Sequence, residues 1–199
     1  MSLFVKTGYL EGKTENIHRD LIAACRMGDR NAQFKIYKLY YKAMFNTSLR
    51  IVNDTAEAED IMQESFLDAF QRLDTYNEQG SFGKWLKRIV INNSLDSLRR
   101  SRESLPLDEE ILNLPEDQDD RNEAAIRFQV EEVLNAIRML PEDYRVIISL
   151  FLLEGYDHEE ISEILHISNQ LSRTRYSRAR QKLLAILKEN KYRDVFIYN

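Results

Sequence analysis

Disulfides, cysteine-based metal sites and glycine-rich phosphate cradles are all short of material in this chain. Cys25 is the one cysteine, so neither an intramolecular disulfide nor a thiolate zinc site can form. Six glycines and three prolines among 199 residues are too few for an all-β protein built on tight turns or for a Walker-type loop. No uninterrupted apolar run approaches the roughly 18 residues that span a bilayer, and the start MSLFVKTGYLEGK has no apolar export core. A cytoplasmic protein without membrane insertion is expected. What remains is 43% apolar and 31% charged residues, a composition that supports compact cores rather than wholesale disorder.

Charge acts over a Debye length of about 10 Å, so the distribution matters more than the overall net of −5. Residues 1–103 carry 16 basic and 14 acidic groups, and residues 166–199 carry eight and two. Between them, residues 104–165 hold four basic against 17 acidic side chains. Ser104 to Asn122, SLPLDEEILNLPEDQDDRN, contains two of the three prolines and a dense acidic run, the pattern of a solvated linker. The expected architecture is all-α: two small helical domains, 1–103 and 123–199, joined by the acidic linker 104–122.

In the first domain, Ile17, Leu21, Ile22 and Cys25 share one face of a short helix that Gly28 stops. Phe34, Tyr37, Tyr41, Met44, Phe45, Ser48 and Val52 step by three and four along a longer helix. Asn53 or Asp54 caps a third, whose apolar stripe is Ala58, Met62, Phe66, Ala69 and Leu73. A fourth starts near Ser81 and turns Phe82, Trp85, Leu86 and Ile89 inward.

In the second domain, Ile126, Val130, Val133, Leu134 and Ile137 mark one helix, and Pro141 occupies the first turn of the next. That helix carries Tyr144, Ile147, Ile148, Phe151 and Leu152 as far as Gly155. Asp157 with Glu160 forms a capping-box variant for a short helix through Leu165. His166 and Ile167 make a tight turn, and Ser168 caps a long basic helix. A short helix, a tight turn and a long basic helix form a helix-turn-helix.

The final helix crowds Arg173, Arg175, Arg178, Arg180 and Lys182 among Asn169, Gln170, Thr174 and Ser177. Arginine grips two acceptors of guanine or a phosphate, and Asn or Gln pairs with adenine edges, so this set suits a major groove. A solvated basic face is the bland alternative. The preceding helix and turn favour DNA, because they bury the opposite stripe of Tyr176, Ala179 and Leu183. On the third helix Glu57, Asp60, Glu64 and Asp68 share a face. A di-iron site there needs Glu-x-x-His, and no histidine lies between residues 19 and 157. A solvated surface and a docking face for a basic partner both stay open. From Tyr76 to Arg102, aromatic and basic residues are mixed in the manner of platforms for unstacked bases, although Phe82, Trp85 and Ile89 also share a face that suits a core. His158 and His166 read as cap or turn residues, and Cys25 as a small core residue. No Ser/His/Asp order or acid–base pair supplies catalytic residues, so no enzyme activity, metal, cofactor or small-molecule substrate is expected.

Two stretches together resemble a known family. RIVNDTAEAEDIMQESFLDAFQRLDTYNEQGSFGKWLKRIVINNSLDSLRR is similar to region 2 of the sigma-70 family, and LPEDYRVIISLFLLEGYDHEEISEILHISNQLSRTRYSRARQKL to its region 4. No substantial domain separates them, a layout similar to the extracytoplasmic function, or group 4, sigma factors of bacteria. The resemblance covers roughly residues 20–188.

That resemblance implies roles. The positions matching Asp60, Gln63, Glu64, Phe66 and Phe70 dock on the clamp coiled coil of the RNA polymerase largest subunit. Those matching Tyr76, Asn77, Ser81, Phe82, Lys84 and Trp85 face the melted minus-ten element and hold a flipped non-template base. Arg88, Asn92, Asn93, Asp96, Arg99 and Arg100 follow on the helix that meets the upstream part of that element. Ser168, Asn169, Gln170, Arg173, Thr174, Arg175, Ser177 and Arg178 correspond to the face turned to the minus-thirty-five duplex. The linker is implied to thread toward the RNA exit path. The implied partners are core RNA polymerase, promoter DNA and an anti-sigma factor. One departure stands out: the family's Glu-Gly-Thr-Val turn is Asn169, Gln170, Leu171 and Ser172 here, so that Leu171 either takes the core role after a small rotation of the helix or faces a thymine methyl. The rival reading is a polymerase-independent helix-turn-helix regulator.

Overall fold

The computed structural model describes residues 18–78, 80–104 and 123–197, all of their regular structure helical. Two compact units divide between Arg99 and Arg100. Ile17 and residues 105–122 of the expected linker lie outside the described residues, as does the side chain of Ile126.

In the first unit, α1 spans residues 18–26 and closes at Gly28, whose φ of 81° is open to glycine at no steric cost. Asp29 then caps α2 (Arg30–Val52), its carboxylate accepting from the Asn31 and Ala32 amides. The next connection divides the two expected roles. Asn53 ends α2 in the left-handed region, and Asp54 caps α3 (Thr55–Gln71) through the Glu57 amide. A single turn of 3₁₀ helix, Leu73–Thr75, leads through a short loop to α4 (Phe82–Ser104).

The expected α3 stripe is buried throughout, and Ile22, Cys25, Ile36, Met44, Leu86 and Val90 complete the core. Small residues let the helices close up. Ser48 of α2 meets Ser94 of α4 at 3.0 Å with both hydroxyls buried, and a Cβ on Gly83 would stand 3.0 Å from the Tyr40 ring. Burial, and secondarily Asp29, pushes the Cys25 thiol pKa up, which leaves it an unreactive core residue.

Phe34 is a correction: it is 59% exposed under the Lys38 ammonium. It lies two positions, about 200° of helix rotation, from the buried Ile36, and the buried Ala32 and Ile36 set the inward face at that end of α2.

In the second unit, α5 (Glu123–Arg138), α6 (Glu142–Ile148), α7 (His158–Leu165) and α8 (Asn169–Ile197) surround Ile147, Ile148, Leu150, Ile161 and Ala179. Among the described side chains of α5, Ala136 and Ile137 are buried, whereas Val130 (52% exposed) and Val133 stand outside the stripe assigned to them. Pro141 sits at the cap before α6 rather than in its first turn. After Ile148 the helix widens into a π-helical turn, Ser149–Leu153. That turn shifts the register and leaves Leu152 exposed and Phe151 half-buried. Asp157 and Glu160 form the full capping box of α7, and His166 closes it in the left-handed region. The Ser168 hydroxyl accepts from the Leu171 amide at 3.1 Å and starts α8.

Candidate nucleic-acid interface

The capped start of α8 turns Gln170, Arg173, Thr174, Ser177 and Arg178 to solvent, while Ser172, Ala179, Leu183 and Ile186 face inward. Side-chain bonds order the outer face. Asn169 accepts from Arg173 Nε at 2.9 Å, and the Thr174 hydroxyl donates to the Gln170 carbonyl at 2.9 Å. Arg175 is half-buried, 3.7 Å from the Asp143 carboxylate; part of its charge is answered within the unit. Leu171 does not take the core role at the turn: it is 38% exposed, and Ser172 is fully buried.

A polar residue in that slot needs a partner, and His158 supplies it, with Nδ1 3.0 Å from the Ser172 hydroxyl. His158 is the first residue of α7, but its ring does more than a cap or turn. It stacks on Phe151 with centroids 4.7 Å apart and meets the edge of Tyr176 at 5.5 Å. Burial first, then Arg173, lowers its pKa below the ordinary histidine value, against an opposing pull from Asp157.

On α3, Asp60, Gln63 and Glu64 are exposed. Leu67, 63% exposed, lies on the same face about a turn further on, an apolar contact that sequence reading missed. The ridge is not uniform. Glu57 accepts from the Ser97 hydroxyl, and Asp68 accepts from the Asn93 amide at 3.1 Å, so its two ends are tied to α4. Phe66 is a correction: it is buried edge-on against Tyr37, as its place in the α3 apolar stripe requires, and does not reach the surface that Asp60, Gln63 and Glu64 present. Phe70 is half-buried beside it.

The loop before α4 sits on an aromatic floor. Tyr76, Phe82 and Trp85 meet pairwise with centroids 5.4 to 5.5 Å apart. Tyr76 and Phe82 are buried, which corrects their placement as DNA-facing, and the Tyr76 hydroxyl donates to the Gly80 carbonyl at 2.6 Å. Around this floor Asn77, Ser81 and Lys84 are solvent-accessible, and Trp85 within it and Arg88 beyond it are half-buried. Further along α4, Asn92, Asp96, Arg99 and Arg100 also reach solvent, with Asp96 and Arg99 paired at 2.7 Å. Asn93 is another correction: its amide donates to Ser65 and Asp68, both at 3.1 Å, within the α3–α4 seam.

Sequence reading also missed Arg26 of α1. Its guanidinium donates to a Glu78 carboxylate oxygen and to the Tyr76 carbonyl, each at 2.8 Å. Glu78 has φ 60°, a left-handed conformation that costs a non-glycine residue about 1–2 kcal/mol. Among the described residues, no group of three or more His, Cys, Asp or Glu side chains converges as a metal site, and no helix is long and apolar enough to cross a membrane.

Two family models match the chain: sigma-70 region 2 over residues 36–104 and sigma-70 region 4 over residues 130–183. The chain is 28% identical over 184 residues to the ECF RNA polymerase sigma factor SigW of Bacillus subtilis, covering 84% of this chain and 95% of that protein. It is 26% identical over 181 residues to the RNA polymerase sigma-H factor of Pseudomonas aeruginosa, covering 85% and 93%. Its fold is similar to that of the sigma factor RpoE of Bartonella quintana, solved in complex with the anti-sigma factor NepR. That match has a TM-score of 0.58 at 23% identity and covers 77% of this chain and 95% of RpoE.

Proposed function

The chain belongs to the sigma-70 family, in its extracytoplasmic function group, and we propose that it performs its work as a transcription initiation factor through three separate surfaces. It binds core RNA polymerase and directs it to promoters. The α3 face of Asp60, Gln63, Glu64 and Leu67 docks on a basic, partly apolar surface of the polymerase. The exposed α8 face of Arg173, Thr174, Ser177 and Arg178 reads the minus-thirty-five duplex. The loop and helix carrying Asn77, Ser81, Lys84, Trp85 and Arg88, then Asn92 and Arg100, take the melted minus-ten strand.

The observation that carries this reading is the exposed Arg173 and Arg178 face on a capped helix-turn-helix, in a chain that also matches region 2. A regulator acting without polymerase has no need of the region 2 match. Opening duplex DNA costs about 1.4 kcal/mol per base-pair step, and a stacked base returns about 1–3 kcal/mol. Capture of a few bases therefore holds a bubble only when polymerase contacts add to it. The acidic middle of the chain opposes DNA binding by the free protein and is the natural candidate to follow the RNA exit path. An anti-sigma factor that covers the docking face and α8 is the expected regulator, and the cytoplasm is the expected place of action.

Glu64→Arg tests the docking face. It is expected to weaken binding to core RNA polymerase about ten-fold or more, because a like charge then meets the basic partner. An unchanged affinity, measured by titration with labelled core, removes α3 from the interface.

A further inference from the structure

We infer that Arg26 is a positioning residue for the minus-ten loop, holding the backbone that presents Asn77, Ser81 and Lys84 to the melted strand. The inference rests on the assignment of that loop to minus-ten DNA.

Arg26 reaches the loop from α1 with both arms of its fork. Nη1 donates to Glu78 and Nη2 to the Tyr76 carbonyl, each at 2.8 Å, across 52 and 50 residues of sequence. Arg19, two turns earlier in the same helix, stands 3.7 Å from the other Glu78 oxygen. Position 78 has φ 60°, where glycine or asparagine is the residue that local chemistry favours. The glutamate there meets no local need of the turn; what it supplies is a carboxylate that reaches α1. With the Tyr76 hydroxyl bonded to the Gly80 carbonyl, the loop is tied from the helix behind it and across its own base.

Arg26 is not itself placed as a phosphate contact. Its side chain is 29% exposed and two of its nitrogens are engaged by protein acceptors. A lysine has the charge but not the fork, so it cannot hold carboxylate and carbonyl together in one plane.

The test uses the full chain with core RNA polymerase on a promoter found by start-site mapping, together with its single-base minus-ten variants. Arg26→Ala and Arg26→Lys are both expected to lower initiation from the preferred minus-ten sequence about ten-fold, the scale of one poorly seated base. Both are also expected to flatten the ranking among the variants, while affinity for core and for the minus-thirty-five duplex holds. Lys84→Ala with Trp85→Ala serves as the control for the loop assignment. If that pair alters the minus-ten ranking and Arg26→Ala does not, the positioning role is overturned and the loop assignment stands. If neither alters it, the loop assignment falls and the role of Arg26 with it. Glu78→Gln keeps an amide oxygen that accepts from Arg26 and leaves the Tyr76 carbonyl contact in place, so it guards against a simple folding defect. A ranking nearer the parent's than that of Arg26→Ala supports the brace, and a retained ranking in an Arg26→Ala variant that melts like the parent overturns it.

Discussion

Arg178→Ala is expected to weaken use of the upstream promoter element by about 1–3 kcal/mol, roughly 5- to 150-fold in affinity of the holoenzyme. The expectation follows from where α8 puts its arginines. Arg178 is exposed on the same face as Arg173 and Thr174, on a helix whose start is fixed by the Ser168 cap and whose other face is packed through Ser172, Ala179 and Leu183. Arg175, half-buried beside Asp143, is expected to matter less for DNA, since its charge already has a partner. Arg178→Lys tests the geometry: if the guanidinium pairs with guanine through two hydrogen bonds, lysine restores little, whereas a phosphate contact is largely restored. Binding to single-base variants of the minus-thirty-five duplex reads the difference. Relaxed preference at one base pair identifies a base contact, and uniform loss with a shallower salt dependence identifies a phosphate contact.

His158→Ala is expected to destabilise the second unit by about 2 kcal/mol, the sum of two aromatic contacts and one partly buried hydrogen bond. It leaves the Ser172 hydroxyl buried without its partner on the inward face of α8. Replacing both members by apolar residues, His158→Phe with Ser172→Val, is expected to fall within about 1 kcal/mol of the parent, because no orphaned polar group then remains. A double-mutant cycle separates the pair from its packing.

The same histidine sets a pH dependence. Its pKa is lowered in the folded unit, by burial first and by Arg173 second, with Asp157 pulling the other way. The unfolded chain therefore takes up the proton first as the pH falls. The stability tied to neutral His158 is complete above the ordinary histidine value and is lost as the pH drops below it toward the folded value. Thermal unfolding followed from about pH 7.5 down to about 5.5, across the ordinary histidine range, should show the midpoint of the parent falling more than that of the double variant carrying His158→Phe and Ser172→Val. Equal slopes would contradict a half-buried His158 that is held neutral.

Local chemistry is legible wherever one helix decides it. The α3 stripe from Ala58 to Leu73, the Asp157 and Glu160 capping box and the Ser168 cap all follow from spacing within a turn or two. Spacing misleads where a neighbouring helix decides. Phe34 and Val130 have helical spacing yet are more than half exposed, and the π-helical turn at Ser149–Leu153 shifts the exposed side of an apolar run that carries no glycine or proline to announce it. Phe66 and Tyr76 show the same limit in the site: an aromatic in a functional stretch can be its floor as easily as its surface, and burial alone separates the two. The Arg26–Glu78 brace and the His158–Ser172 pair join residues on different elements, so no periodicity signals them. Asn93 reads as a DNA-facing amide from its position on α4, yet Ser65 and Asp68 on α3 claim its hydrogens.

Run-off transcription from a genomic fragment library, with core RNA polymerase alone, with this protein, and with its Glu64→Arg variant, tests the central assignment most directly. Discrete new start sites that require the protein, share spaced upstream and downstream elements and weaken with the variant are expected. An absence of new starts, together with tight sequence-specific binding to duplex DNA by the protein alone, would contradict it.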